Sequence, residues 1–144
     1  ILKSSDKIIH GFDTFHGNLE DWHGTENTFG AASQNGIPPV KLEKNIEIIK
    51  GKIEDTLEKF IEEKNIKKIN FIHVDVNVYS TSKFILRITK PLMSKNSVVC
   101  FDELVNYPMW WKGGEYKALT EVYNKDEYSF LAFDNAKKAS IKLN

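Results

Sequence analysis

Apolar residues along this chain fall alternately into short runs and helical stripes. KIIHGFD (7–13) is a β-branched apolar run that ends in an acid, and the Gly- and Asn-rich stretch from about Gly17 to Pro39 has no period and predicts a loop. NIEIIKG (45–51) predicts a second strand. In IEDTLEKFIEEKNI (53–66), Ile53, Leu57, Phe60 and Ile61 recur at helical spacing with charges between them. INFIHVD (69–75) predicts a third strand, and STSKFILRITKPL a helix that Ser80 or Thr81 caps and Pro91 closes. SVVCFD (97–102) predicts a fourth strand, after which come an aromatic loop, NYPMWWKGG, and the helical pattern EYKALTEVYNKD. YSFLAFD (128–134) and KASIKLN (138–144), joined at Asp134 and Asn135, predict an antiparallel hairpin.

Strands that alternate with helices and are themselves almost continuously apolar predict a mostly parallel sheet covered on both faces. The expected fold is therefore α/β: a Rossmann-like three-layer α/β/α sandwich ending in an antiparallel hairpin. Ligands of such sheets bind beyond the carboxyl ends of the strands. Asp13, Asp75, Asp102 and Glu103 all fall at such ends, so four acids are expected along one rim.

Composition narrows the classes. With 144 residues, 41% of them hydrophobic, the chain is expected to form one domain over 1–144 with a real core. Lys plus Arg and Asp plus Glu number 20 each, so no net field favours nucleic acid or an anionic membrane. One cysteine, Cys100, sits in an apolar run, and neither a membrane-length apolar segment nor a signal peptide is found. The expected setting is cytoplasmic.

Each acid has an ordinary reading beside a functional one. Asp13 can accept backbone N–H groups in the following turn, or it can take both hydroxyls of a ribose with its two oxygens. Asp75 lies too early to cap the next helix. An isolated Asp102-Glu103 pair would be a solvated strand end, but close to a third carboxylate such a pair repels itself, and a cation is the ordinary remedy. Oxygen ligands alone indicate a hard ion, Mg²⁺ or Ca²⁺, rather than zinc. Trp22, Tyr107, Trp110 and Trp111, in two loops over the rim, either pack loop onto sheet or wall a substrate pocket.

GFDTFHG (11–17), EDW (20–22), GKIEDTL (51–57), IHVDVNVYSTS (72–82) and VVCFDELVNYPMWWKGGEYKAL, in this order, resemble successive motifs of class I S-adenosylmethionine-dependent methyltransferases, in particular the group similar to macrocin O-methyltransferase. The resemblance implies an O-methyltransferase acting on a small-molecule hydroxyl of a sugar, natural product or polyphenol. It assigns the cofactor ribose to Asp13, the adenine side to Lys52, Ile53 and Glu54, and the metal to Asp75, Asp102 and Glu103, with Asp75 also beside the cofactor. The implied cofactors are S-adenosylmethionine and Mg²⁺ or another hard divalent cation. The cation would lower the pKa of the acceptor hydroxyl and orient it. Asp75, His23 and His16 are the catalytic candidates, the two histidines because they lie in a loop expected to cover the site, whereas His73, inside a strand, is expected to be a core residue.

Two departures accompany the resemblance. Asn77 stands where the family pattern has a second aspartate. Nothing before KIIHGFD supplies the opening strand and glycine-rich turn that meet the cofactor's methionine end, so the first strand of the fold is expected to be missing and the domain truncated. That strand normally lies between those ending at Asp13 and Asp75. The expectation is weak or no cofactor binding, with the gap closed by direct pairing of the flanking strands or by another chain, including a homo-oligomer that covers the exposed edges. The alternatives are another Rossmann-like enzyme, such as an NAD-dependent oxidoreductase, and a non-catalytic metal-binding domain.

Overall fold

The structure is a computed structural model that describes residues 7–39 and 41–144. Its strands are β1 (Ile9–Asp13), β2 (Ile46–Lys50), β3 (Ile69–Val74), β4 (Met93–Phe101), β5 (Tyr128–Phe133) and β6 (Ala139–Leu143). Its helices are α1 (Ile53–Glu63), α2 (Tyr79–Thr89) and α3 (Gly114–Val122), and a 3₁₀ turn, Lys90–Leu92, carries α2 into β4. Among the described residues no helix is long and apolar enough to cross a membrane.

The strands form two sheets. β1 and β2 pair in parallel, and β3-β4-β6-β5 form the second sheet, parallel between β3 and β4 and antiparallel thereafter. The predicted elements are thus present, including the C-terminal hairpin. Direct pairing across the expected gap does not occur: among the described residues no ladder joins β1 to β3.

Register explains the core. Ile72, Val99 and Ile141 lie side by side on one face, as do Val74, Phe101 and Ala139. That face packs against α2 and α3 through Ile85, Leu86, Ala118, Leu119 and Tyr123. Each large apolar side chain buried there is worth about 1.5–3 kcal/mol. The opposite face carries Phe71 and His73, both about half exposed. Among the described residues between β1 and β2 there is no helix.

Three local differences have physical causes. β4 begins at Met93 rather than at Ser97, because Met93 already pairs with Ile69, and the polar SKN segment takes up the register shift before Val98 pairs with Phe71, with Asn96 left-handed (φ 70°). α1 stops at Glu63 rather than Ile66, since Asn65 turns left-handed (φ 52°) and closes it. α2 begins at Tyr79 with Val78 as its N-cap residue and no side-chain cap. Ser80 and Thr81 do not cap it, for their hydroxyls are used elsewhere: Ser80 donates to Glu20 (2.9 Å) and Thr81 to Glu54 (2.8 Å).

Candidate active site

The rim is built from strand ends and the loops that leave them. Asp13 closes β1, Asp75 follows β3, and Asp102 follows β4, where its N–H donates to the Val74 carbonyl (2.9 Å). Apolar runs end at these positions because the next residues leave the sheet, so the first carboxylate after each run must face the rim.

A cavity of about 280 Å³ opens between the two sheets. Asp13, Phe15, Gly51 and Ile53 line it from the β1–β2 side, and Asp75, Val76, Asn77 and Thr81 from the other. Asp13 makes the turn contact as well, accepting the Phe15 N–H at 2.8 Å. Of the three residues assigned to the adenine, Ile53 lines the cavity. Lys52, exposed ahead of α1, and Glu54, which accepts the hydroxyl of the lining residue Thr81, are not among its lining residues.

Asp75, Asp102 and Glu103 converge: each offers a carboxylate oxygen, and the three oxygens lie within 4.8 Å of one another. The electrostatics of the group are those of crowded acids. Burial, then the charges of Asp102 and Asp75, push Glu103 up to about 7. Burial and Asp102 likewise raise Asp75. Burial also acts to raise Asp102, but the hydrogen bond and charge of Lys138 outweigh it and hold Asp102 below the usual carboxylate range. The neighbouring Asp102 carboxylate thus favours the protonated form of Glu103, whose buried Oε2 has no hydrogen-bond partner. A divalent cation is the chemical group that would satisfy such a set in place of the shared proton.

Two basic groups stand beside the acids. Lys138, from the hairpin turn, donates to Asp102. His73 is half exposed rather than a core residue, with Nε2 3.5 Å from Asp102 Oδ1. The other histidines are placed differently. His16 lies against Gly36, where an added Cβ would be 2.5 Å from its Cε1, and His23 against Gly113, 2.8 Å by the same measure. Neither lines the cavity or belongs to the acid trio.

Asn77 adopts a left-handed backbone (φ 60°) and donates to Asn18 at 3.2 Å, fastening the 17–39 loop to the end of β3. It is outside the trio. Trp22 and Tyr107 are both buried, in edge contact at 5.3 Å, with the Lys137 ammonium 4.9 Å from the Trp22 ring. For these two aromatics packing is the observed role. Gly24 permits it: a Cβ there would sit 1.8 Å from the Pro108 carbonyl oxygen, so only glycine lets the two loops touch.

A further carboxylate, Glu115 of α3, lies fully buried beneath the trio. Its Oε2 accepts the Glu103 N–H at 3.1 Å. Burial drives its pKa well above the usual range. The sequence did carry a signal for it. Glu115, Ala118, Leu119 and Val122 fall at i, i+3, i+4 and i+7, so the acid rides on the apolar stripe of its helix.

Residues 2–104 match the protein family described as a methyltransferase domain. No curated protein matches the sequence. Among solved structures, the calicheamicin methyltransferase CalS11 is similar with a TM-score of 0.75 and 22% identity, over 94% of this chain and 60% of its own. An apo structure of CalS11, described as a TDP-rhamnose 3'-O-methyltransferase, gives 0.64 and 23%, over 94% and 58%. The O-methyltransferase NovP gives 0.68 and 17%, over 99% and 62%. These likenesses show a shared Rossmann-like fold, and the chain spans about three fifths of the length of those proteins.

Proposed function

The chain belongs to the methyltransferase-domain family, and from that premise we propose that it transfers a methyl group from S-adenosylmethionine to a small-molecule hydroxyl with the help of a divalent cation, or is an inactive piece of a protein that does. Membership in that family sets aside the NAD-dependent oxidoreductase. The observation that carries the proposal is the double position of Asp75, which both lines the cavity between the sheets and belongs to the acid trio.

The residues fit both groups. Asp13, at the β1 end of the cavity, would hold a ribose through its carboxylate, and Gly51 and Ile53 would flank the base. S-Adenosylmethionine supplies an electrophilic methyl group on a sulfonium. Asp75, Asp102 and Glu103 would hold Mg²⁺ or a similar hard ion, which supplies the positive charge that acidifies a hydroxyl. Glu103 must first lose its proton, since a protonated carboxyl is a poor ligand. Nε2 of His73, 3.5 Å from Asp102, is better placed to accept a proton at the rim than either His16 or His23. Lys138 would have to yield Asp102 to the ion or remain beside it as a second positive charge.

Because CalS11 is described as a TDP-rhamnose 3'-O-methyltransferase, a sugar hydroxyl is the first acceptor to try. Natural-product and polyphenol hydroxyls follow. An NMR titration with S-adenosylmethionine tests the cofactor half: weak binding that moves the amides of Asp13, Gly51, Ile53 and Asp75 is expected. Shifts confined to the β5–β6 hairpin, or none at millimolar ligand, would count against it.

A further inference from the structure

We infer that Glu115 is a positioning residue: its buried carboxyl pins the chain that leaves β3 to the chain that leaves β4, and so sets the spacing of Asp75, Asp102 and Glu103. The inference rests on reading that trio as a cation site.

The geometry begins at α3, a nine-residue helix whose first residue, Gly114, has φ 71° and no room for a side chain, since a Cβ there would lie 2.3 Å from Tyr107 Oη. That tight entry fixes where the next residue points. Glu115 enters the interior, 0% exposed, and its Oε2 takes the Glu103 N–H. The backbone N–H of Val76 lies close enough to favour the charged form of the same carboxyl, and the buried Oε1 has no hydrogen-bond partner. Val76 adjoins Asp75 in sequence, and Glu103 is itself one of the trio. One side chain therefore touches both strand-end loops at the peptides that carry the ligands.

An apolar residue would fill this space at lower desolvation cost, because a buried carboxyl is unfavourable unless its oxygens are used. What an apolar residue cannot do is accept the Glu103 N–H while facing that of Val76. The N-terminal turn of α3 further favours an acid at this position, through the unpaired N–H groups at the helix start. Outer groups that orient metal ligands in this way commonly change metal affinity by about 10–100-fold when removed.

The test compares Glu115→Met, which keeps the volume without an acceptor, with Glu115→Gln, which keeps one acceptor oxygen. Amide hydrogen exchange is measured by NMR and Mn²⁺ affinity by electron paramagnetic resonance. In Glu115→Met, exchange at Val76 and Glu103 is expected to quicken about tenfold and Mn²⁺ affinity to fall about tenfold or more, while the Ile141 amide in β6 is unchanged. Glu115→Gln is expected to restore protection at Glu103 and most of the affinity. Unchanged exchange at both amides in the Met variant, or unchanged affinity despite faster exchange, would overturn the inference. If the Met variant does not fold, the Gln variant decides alone: loss of Glu103 protection there overturns the pin, and its retention supports it. Should the unsubstituted chain bind no Mn²⁺, the cation reading falls, whereas the exchange rates still decide whether Glu115 joins the two loops.

Discussion

In the four-stranded sheet Val74, Val99, Phe101 and Ile141 are at most 1% exposed, whereas no residue of β1 or β2 is buried. The larger sheet has α2 and α3 on one face and a continuous core. Against the strand pair, among the described residues, the ring of Phe60 meets His10 and Phe12 at 4.7 and 5.2 Å. The cavity and the acids divide along the same line. The larger sheet presents Asp75, Asp102 and Glu103 from well-packed strand ends, and the pair presents Asp13 across the cavity from a lightly packed one. The groups that would hold a cation are set by the core, and those that would hold a cofactor are set by a few contacts.

Several substitutions would break or sharpen that contrast. Removing the Phe101 side chain (Phe101→Ala) is expected to cost about 3–5 kcal/mol, whereas Ile48→Ala in β2 should cost about 1 kcal/mol. Urea unfolding followed by circular dichroism measures both, and equal losses would erase the distinction between the two sheets. Asp102→Asn is expected to weaken Mn²⁺ binding by about a hundredfold, while Asp13→Asn leaves it unchanged. Comparable losses in the two variants would mean that the acids do not divide as the geometry divides them.

The Glu103 carboxyl provides a pH test with a definite sign. Its pKa is raised from 4.5 to about 7 in the folded chain, so the folded state holds a proton that the unfolded chain releases between those values. Without metal, stability should therefore decline as pH rises from 4.5 to 7, because the unfolded state binds fewer protons there. Cation affinity should move oppositely, rising up to about tenfold per pH unit below pH 7 and levelling above it. A flat affinity profile from pH 5 to 8 would remove Glu103 from the ligand set. The smallest expected effect is at Thr81, whose hydroxyl ties α2 to Glu54 of α1: Thr81→Val should cost about 1 kcal/mol by thermal unfolding.

Much of this is legible in the order of residues. Asp75, Asp102 and Glu103 each follow an apolar run, and parallel topology brings the ends of adjacent strands β3 and β4 together, so a shared rim is legible from pattern, while it is the resemblance that groups the three in one site. Ser80 and Thr81 mislead because hydroxyls near a helix start also serve as tethers, and their acceptors, Glu20 and Glu54, lie 60 and 27 residues away. Lys138 is illegible for the same reason, since only the fold of the hairpin carries it to Asp102. His73 is misplaced by pattern alone because a strand residue reads as core until it is known which face the helices cover. Glu115 is visible in the helical phase of EYKAL but reads as one more surface acid unless that phase is counted.

The central claim is that Asp75, Asp102 and Glu103 form a cation site on the same rim, and beside the same cavity, as Asp13. The direct measurement is an NMR titration with substoichiometric Mn²⁺, which broadens signals near the ion. Broadening is expected first at Asp75, Asp102 and Glu103, then at Asp13 across the cavity, reversed by excess Mg²⁺ and absent in Asp102→Asn. Broadening centred elsewhere, or undiminished in Asp102→Asn, would contradict the claim.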